Sequence, residues 1–203
     1  MRIEFIAVGS ELLNGDLADT HTARIGGRLR ALGLGLRWSQ IVPDHLSTLV
    51  RALQIAGERA DLVLVSGGLG STGDDLTMQA ASALCGSPLV EDRPTLERIR
   101  ARCEARSRPF LPALRRQSLV PEGAQALPNR AGSAPAVQLS HADAEYFFFP
   151  GVPRELDALL DDHLHPWLDR HAPVRPRRSH TFKLFGKTES ATAALLDGMP
   201  THP

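Results

Sequence analysis

Cysteine, aromatic residues and net charge are all scarce in this chain of 203 residues, and each scarcity excludes a class of protein. Two cysteines, Cys85 and Cys103, cannot build a disulfide framework or a zinc site of paired CxxC motifs. Basic and acidic residues number 23 each, whereas nucleic-acid binders usually carry a basic excess. We therefore expect reduced thiols and no nucleic-acid partner.

Long apolar runs and dinucleotide fingerprints are missing as well. No apolar stretch approaches a membrane span, and Glu4 and Glu11 interrupt the N-terminal segment where a signal peptide would be apolar. A lone Gly9 after the first apolar run falls far short of GxGxxG, which argues against a nicotinamide site. These absences predict a cytoplasmic protein with no membrane partner.

The most informative stretch that is present runs from residue 62 to residue 77. Four aliphatic residues, Leu62 to Val65, predict a strand buried on both faces of a parallel sheet. Four glycines then fall within seven positions, Gly67, Gly68, Gly70 and Gly73. Such a loop between a strand and a helix points backbone amides at an anion, so the stretch predicts a phosphate-binding loop.

Two carboxylates, Asp74 and Asp75, follow the glycines. Beside a phosphate they would repel the ligand unless a divalent cation lay between them. We expect Asp74 to cap the following helix, which should end at Gly86, and Asp75 to point towards the phosphates. The alternative is an ordinary strand-to-helix turn with an aspartate cap, but a cap needs neither a second aspartate nor four glycines.

Apolar patterns along the chain alternate between strand and helix and predict repeated βαβ units. The predicted fold is a three-layer α/β/α domain with a mostly parallel sheet. In such a sheet the connecting loops gather at the carboxyl edge, where ligands bind. Strands are expected at 2–8, 34–42, 62–66, 124–127, 137–139 and 146–149, helices at 19–33, 46–56, 76–86, 94–103 and 109–117 and from 153, and edge loops at 9–15, 43–45, 67–75, 129–135 and 150–153.

The chain divides at a Pro/Arg-rich segment after residue 171. We expect 1–171 to form the main domain, and 172–203 to be a linker and the incomplete start of a small second module. A strand over 179–185 and a helix over 188–196 are expected in that tail, and they could not bury both their faces alone.

Three further patterns were weighed as sites. Residues 185–188 end like a P-loop, but Thr181 stands where the first glycine must be, so no nucleoside triphosphate site is expected. Asp161 and His165 share a helix face, which is more often a solvated surface than a metal site without a third ligand. His45 beside Asp44 could act as an acid or base or could cap the next helix, and both readings stay open.

Taken together, the motifs resemble the N-terminal domain of the competence/damage-inducible protein A (CinA) family, within the wider molybdopterin-binding group. The resemblance covers roughly residues 3 to 160 and is carried by several motifs in the right order. These are Gly9-Ser10-Glu11-Leu12-Leu13, Asp19-Thr20, Pro43-Asp44, Ser66 to Thr77, Asn129 to Pro135, and Pro150 to Pro153 with Glu155.

The resemblance implies a ligand and roles for particular residues. It implies an oligomer, a dimer or trimer, that binds a nucleotide or pterin with a divalent metal (Mg²⁺, Mn²⁺ or Co²⁺) and K⁺ as an optional further ion. Asp44 and Asp75 would be catalytic, and Asp44, Asp74 and Asp75 would hold the metal. Contacts to the ligand would come from Gly9, Glu11, Asp19, Gly67, Gly68, Gly70, Thr72, Asn129, Gly132, Ser133, Ala134 and Gly151.

Four positions depart from the family pattern. The family usually has proline where Ser71 and Gly73 stand, asparagine at His21 and glycine at Ala136. Losing both prolines loosens the phosphate loop, because each would fix φ and reduce the entropy lost on ordering.

Three functions remain open from the sequence. The first is metal-assisted hydrolysis of the pyrophosphate of ADP-ribose. The second is a non-catalytic molybdopterin- or nucleotide-binding module related to the molybdenum cofactor, and the third is an interaction domain with a vestigial pocket.

Overall fold

A computed structural model describes residues 1–172 and 183–197 and contains a six-stranded sheet in the order β2-β1-β3-β8-β7-β6. The first four of these strands run parallel, β7 pairs antiparallel with β8, and β6 pairs antiparallel with β7. A separate two-stranded sheet pairs β4 with β5. The strands are β1 (Ile3–Val8), β2 (Leu36–Val42), β3 (Leu62–Ser66), β4 (Leu89–Glu91), β5 (Leu119–Pro121), β6 (Gln125–Leu127), β7 (Ala136–His141) and β8 (Ala144–Phe149).

Helices cover both faces of the large sheet, so the predicted three-layer α/β/α fold with a mostly parallel sheet is confirmed. One core lies between the sheet and α3 and α4, and the other lies between the sheet and α2, α6 and α7. The α-helices are α1 (Ser10–Leu13), α2 (His21–Ala31), α3 (Leu46–Arg59), α4 (Thr77–Cys85), α5 (Arg93–Ala105), α6 (Pro153–Leu159), α7 (His165–His171) and α8 (Glu189–Leu196), with a 3₁₀ helix at Pro112–Ser118 and a π-helical turn at Leu160–Leu164.

Strand residues alternate strictly between the two cores. In β8, Tyr146 and Phe148 face α3 and α4, while Phe147 and Phe149 face α6 and α7, and all four rings are at most 1% exposed. Because both faces of β3 and β8 are covered, these strands read as unbroken apolar runs in the sequence.

The sheet topology brings five connecting loops to one edge. Strands β1, β2, β3 and β8 run in the same direction, so the segments after residues 8, 42, 66 and 149 all leave from their carboxyl ends. Strand β7 runs the other way and pairs Val137 with Phe148, which brings the preceding loop 128–135 to this edge too. This edge is the one at which ligands bind in open α/β sheets.

Some boundaries differ from the predicted ones. The helix after the glycine loop begins at Thr77, with Leu76 in the N-cap position and no side-chain cap, so the expectation that Asp74 caps it was wrong. A single helical turn, α1, stands where a polar turn was expected. In the tail, the helix predicted over 188–196 is present as α8, with Thr188 as its N-cap. The strand predicted over 179–185 is absent at 183–185, and 179–182 lie outside the described residues.

Far from the loop edge, charges are paired. The fully buried Glu4 carboxylate accepts bonds from Arg59 Nε at 2.7 Å, Arg59 Nη2 at 2.6 Å and Gln40 Nε2 at 2.8 Å. The Arg59 guanidinium also lies 4.9 Å from the ring centroid of Trp38. Each polar atom of this carboxylate therefore has a partner.

Two other observations concern predicted features. No helix among the described residues is both long and apolar enough to span a bilayer. His165 Nδ1 lies 3.5 Å from Asp161 Oδ1, but Asp161 is bonded to Arg28. Burial lowers the pKa of His165, and no third acidic, histidine or cysteine side chain completes a metal group there within 1–172 and 183–197.

Candidate functional site

The glycine loop leaves β3 in a backbone conformation that only glycine adopts readily. Gly67 and Gly68 have φ values of 112° and 65°, in the left-handed region. A Cβ on Gly67 would lie 2.2 Å from the Val8 carbonyl oxygen, and one on Gly68 would lie 2.3 Å from Thr77 Oγ1. Among the described residues, the amides of Gly68, Leu69 and Ser71 find no acceptor, so they remain available to an anion.

The Asp75 carboxylate accepts hydrogen bonds from two residues of this loop. One carboxylate oxygen accepts the Gly70 amide at 2.7 Å, and the other accepts the Thr72 amide at 2.8 Å and the Thr72 hydroxyl at 2.6 Å. Gly70 must be glycine here, because a Cβ would lie 2.4 Å from Asp75 Oδ2. Asp75 points towards the loop as predicted, but in the structure its bonds are to the loop itself.

Asp44 is fixed at the end of β2 by the first loop of the chain. Its Oδ2 accepts the Ser10 amide at 2.8 Å, and the Asp44 amide donates to Ser10 Oγ at 3.3 Å. Nearby, Gly9 allows a close approach, since a Cβ there would lie 2.5 Å from Glu11 Oε1. The other oxygen of Asp44, Oδ1, has no protein donor within the described chain.

The loop before β7 is organised by Asn129. Its Oδ1 accepts the amides of Ala131 and Gly132, both at 2.9 Å. Its Nδ2 donates to the Ala134 carbonyl at 2.7 Å and to Glu155 Oε2 at 2.8 Å. Gly132 is buried against the same carboxylate, where a Cβ would lie 1.8 Å from Glu155 Oε2. Both residues therefore shape the loop.

These loops enclose a cavity of about 330 Å³ at the carboxyl edge of the sheet. Five of its lining residues are acidic and none is lysine or arginine, so we call it the carboxylate cavity. It is lined by Val8, Glu11, Asp44, Gly67, Gly68, Leu69, Gly70, Thr72, Asp74, Asp75, Gln117, Ser133, Ala134, Pro150, Gly151, Val152 and Glu155.

Most of the predicted site residues meet in this cavity. The structure brings together Glu11, Asp44, Gly67, Gly68, Gly70, Thr72, Asp74, Asp75, Ser133, Ala134 and Gly151. It does not place Gly9, Asp19, Asn129 or Gly132 on the cavity wall. Asp19 instead accepts the His21 and Thr22 amides at 2.9 and 3.0 Å, at the start of α2.

Two polar side chains of the wall were missing from the predicted site. Glu155 belongs to a motif that carries the family resemblance, but only the structure shows its carboxylate beside Gly132. Gln117 ends the 3₁₀ helix region, and its buried Oε1 has no hydrogen-bond partner among the described residues. No pattern in the sequence distinguishes Gln117 from a surface residue.

The positions that depart from the family pattern are tolerated by the fold. His21 Nδ1 lies 2.8 Å from the Ser66 hydroxyl, behind the loop, and burial lowers its pKa against a smaller opposing effect of Asp19. Gly73 has open space where a Cβ would be. Ala136 is fully buried in the core beneath the sheet.

The cavity has the type of ligand that a hard divalent cation prefers, but too few such ligands converge on one point. Carboxylate oxygens are the ligands that Mg²⁺ and Mn²⁺ prefer. Asp44, Asp74 and Asp75 share the cavity, yet within the described ranges no three acidic, histidine or cysteine side chains converge as a metal-binding group. A metal ion here would need further oxygen ligands from a bound phosphate, as is common for Mg²⁺.

Comparison with known proteins agrees with this architecture. The family described as "Probable molybdopterin binding domain" matches residues 4–170. A CinA-like protein of Geotalea daltonii is 37% identical over 199 residues, which are 98% of this chain and 48% of that protein. The chain therefore spans about half the length of the curated relatives it matches.

Solved structures match over most of the described domain. The protein CinA from Thermoplasma acidophilum superposes with a TM-score of 0.73 at 30% identity, covering 84% of this chain and 96% of that chain. The molybdopterin biosynthesis enzyme MoaB of Thermus thermophilus superposes with a TM-score of 0.54 at 20% identity, covering 86% and 99%. The second likeness concerns the fold alone.

Proposed function

This chain belongs to the family of "Probable molybdopterin binding domain" proteins, in the branch of CinA, and we propose that its carboxylate cavity binds a phosphate-bearing nucleotide or pterin. We further propose that it hydrolyses the pyrophosphate of ADP-ribose with a divalent metal ion. The observation that carries the proposal is the glycine loop: Gly68 and Leu69, whose amides have no acceptor among the described residues, line the same cavity as Asp44, Asp74 and Asp75.

In the proposed mechanism the loop positions the pyrophosphate and the carboxylates position the attacking water. The amides of Gly68, Leu69 and Ser71 would donate to phosphate oxygens, on which negative charge grows in the transition state. Asp75 keeps those amides in place, because it ties Gly70 and Thr72 together. The loop is therefore preorganised from one side by a carboxylate and from the other by left-handed glycines.

Asp44 and Asp74 would hold the metal ion together with phosphate oxygens, and Asp75 would contribute a remaining lone pair. When bound, Mg²⁺, Mn²⁺ or Co²⁺ offsets phosphate charge and lowers the pKa of coordinated water. The free Oδ1 of Asp44 would be available to orient the attacking water or to accept its proton.

The test is release of AMP from ADP-ribose with Mg²⁺, Mn²⁺ or Co²⁺, compared with EDTA. Asp44→Asn should lower kcat/KM by about a hundredfold or more, since it removes a charged ligand that acts in the transition state. Asp75→Asn should cost as much or more, because it weakens the loop as well. Asp143→Asn is the matched control: it makes the same chemical change at an exposed position in the turn between β7 and β8, and it should keep most of the turnover.

A parent protein without turnover in any of these metals would contradict the enzymatic proposal. Full turnover in Asp44→Asn would contradict the metal ligands proposed here.

The second candidate is a non-catalytic molybdopterin- or nucleotide-binding module. It is favoured by one observation: both oxygens of Asp75 are already engaged in bonds within the loop. Mass spectrometry of small molecules retained by the purified protein separates the candidates. A co-purifying pterin together with no cleavage of ADP-ribose would support the module, whereas bound ADP-ribose or AMP would support the enzyme.

A further inference from the structure

A second, larger cavity adjoins the carboxylate cavity and has the opposite charge. Its volume is about 530 Å³, and it shares Ser133, Val152 and Glu155 with the first. Four arginines line it, Arg102, Arg106, Arg108 and Arg154. We call it the arginine cavity.

Among the described residues none of these four arginines has an ion-pair partner, and only Arg102 makes a side-chain hydrogen bond. Arg102 donates to the Ala131 carbonyl at 2.9 Å, which supports the loop before β7. Within residues 1–172 and 183–197, neither a hydrogen bond nor a salt bridge is made by the side chains of Arg106, Arg108 and Arg154. The one carboxylate on the wall, Glu155, is already bonded to Asn129. Four cations around one cavity repel each other unless an anion enters it.

Ordinary surface roles explain only part of this cluster. Arg106 and Arg108 follow the end of α5, where a cation interacts favourably with the helix dipole. Arg154 lies in the first turn of α6, where the dipole disfavours a cation. Its position beside the other three therefore requires another explanation, and a bound anion supplies one.

The remaining wall is apolar. Ile99, Leu111 and Leu114 line it, and Leu111 is 57% exposed although it lies in a concave site. Cavities of this size with an apolar wall and a few charged groups are typical of small-molecule sites. The complementary ligand carries an anionic group attached to a flat or apolar ring.

We propose that the arginine cavity is a second subsite, which binds the nucleoside monophosphate half of the ligand, so that the pyrophosphate crosses the shared wall with one phosphate in each cavity. The inference rests on the proposed function, because one ligand is to occupy both cavities across their shared wall. Arg106 and Arg154 contact the phosphate, and Leu111 and Leu114 pack against the ring. This subsite needs no metal, since its own charges are positive.

The experiment uses AMP as the probe, titrated by calorimetry in EDTA. The double variant Arg106→Gln/Arg154→Gln should bind AMP about tenfold more weakly or worse, because charge-assisted hydrogen bonds are lost. The matched control is Arg30→Gln/Arg51→Gln, which removes the same charge from exposed positions on α2 and α3. That control should bind AMP within about twofold of the parent, as expected for surface changes.

Two further measurements define the subsite. Leu111→Ser should weaken AMP binding severalfold but leave the binding of inorganic phosphate unchanged, because phosphate has no ring. Asp75→Asn should keep most of the AMP affinity in EDTA, since it alters only the other cavity.

Several results would overturn the inference. Absence of AMP binding to the parent would do so, as would equal affinity in the double variant and the control. A double variant that changes the oligomeric mass in light scattering and leaves AMP affinity unchanged would show that the arginines contact another protein chain. If the parent binds AMP through the arginines but does not cleave ADP-ribose in the presence of Mg²⁺, Mn²⁺ or Co²⁺, the subsite stands and only the proposed enzymatic activity fails.

Discussion

Two clusters of charged side chains lie at opposite ends of the large sheet, and their charges are balanced in different ways. At the start of β1, Glu4 is fully buried and bonded to Arg59 and Gln40. At the carboxyl ends of the strands, Asp44, Asp74 and Asp75 line an open cavity that no arginine or lysine enters. The first cluster is complete within the protein, and the second is balanced only by what binds there.

The contrast indicates which charges serve stability and which serve a ligand. A buried carboxylate costs several kcal/mol unless it is paired, so Glu4 depends on its partners. The aspartates of the cavity are partly or fully exposed to water and are available to a cation. Four predictions test this division, and they run from the largest expected effect to the smallest.

Arg59→Met should leave the buried Glu4 carboxylate without its cationic partner. We expect the free energy of unfolding to fall by about 3 kcal/mol, as when one partner of a buried ion pair is removed. Arg37→Met is the matched control, because Arg37 also lies over the Trp38 ring, at 5.4 Å, without holding a carboxylate. Urea titration measures both variants, and ligand affinity should not change in either. Equal losses of stability would show that the aromatic contact, and not the charge, matters.

Gly70→Ala should disturb the other cluster. The new Cβ would lie 2.4 Å from Asp75 Oδ2, so the carboxylate must move and its bonds to the loop must stretch. We expect a loss of about 1–2 kcal/mol in stability, as for overpacking, together with weaker binding of ADP-ribose. Gly73→Ala meets open space and should change both quantities little. A Gly70→Ala protein with unchanged affinity would show that the loop does not contact the phosphates.

Ser71→Pro and Gly73→Pro restore the residues usual in the family. Neither backbone amide donates a hydrogen bond within the described chain, so proline removes none there. Each should raise the free energy of unfolding by about 0.5–1 kcal/mol, because the unfolded chain loses conformations. Thermal unfolding measures the gain, and calorimetry should show tighter binding of ADP-ribose to Gly73→Pro. Ser71→Pro removes an amide that is proposed to donate to the phosphates, so its affinity should not rise. A loss of stability would mean that the native φ at that position does not suit proline.

The smallest expected effect is on the pH dependence of stability. Burial lowers the pKa of His21 and of His165, so below about pH 6.5 the unfolded chain binds more protons than the folded one. Their contribution is complete above that pH and is lost as the pH falls towards the folded values. Urea titrations at pH 7.5 and 5.5 should show a smaller difference for His21→Asn than for the parent. An unchanged difference would mean that His21 protonates as easily in the fold as outside it.

The fold could be predicted from the sequence because its signals are local. Apolar runs such as Tyr146 to Phe149 and the spacing of helical apolar residues set the strands, the helices and the edge at which the loops gather. The glycine cluster at 67–73 was sufficient to place the loop between β3 and α4. The antiparallel pairing of β6 and β7 was not evident, since strand direction depends on pairing across the sheet.

Side-chain partners were the part that could not be predicted. Asp74 was expected to cap a helix, but the helix begins at Thr77, whose hydroxyl bonds to the Gly67 carbonyl at 2.8 Å. The arginine cavity draws its charges from residues 102–108 and 154, which are distant in the chain. No local pattern marks such a site, because only the packing of α5 beside α6 and the loop at 129–135 assembles it.

Asn129 ties together the walls of both cavities, and this has a thermodynamic consequence. Its amide holds Glu155 and the Ala134 carbonyl, while Arg102 holds Ala131 in the same loop. Any ligand fragment that shifts this loop from one cavity changes the affinity of the other. By linkage the effect is reciprocal: if phosphate in the carboxylate cavity tightens AMP binding by some factor, AMP tightens phosphate binding by that same factor. After cleavage, the release of either half of the substrate would then lower the affinity of the protein for the other half.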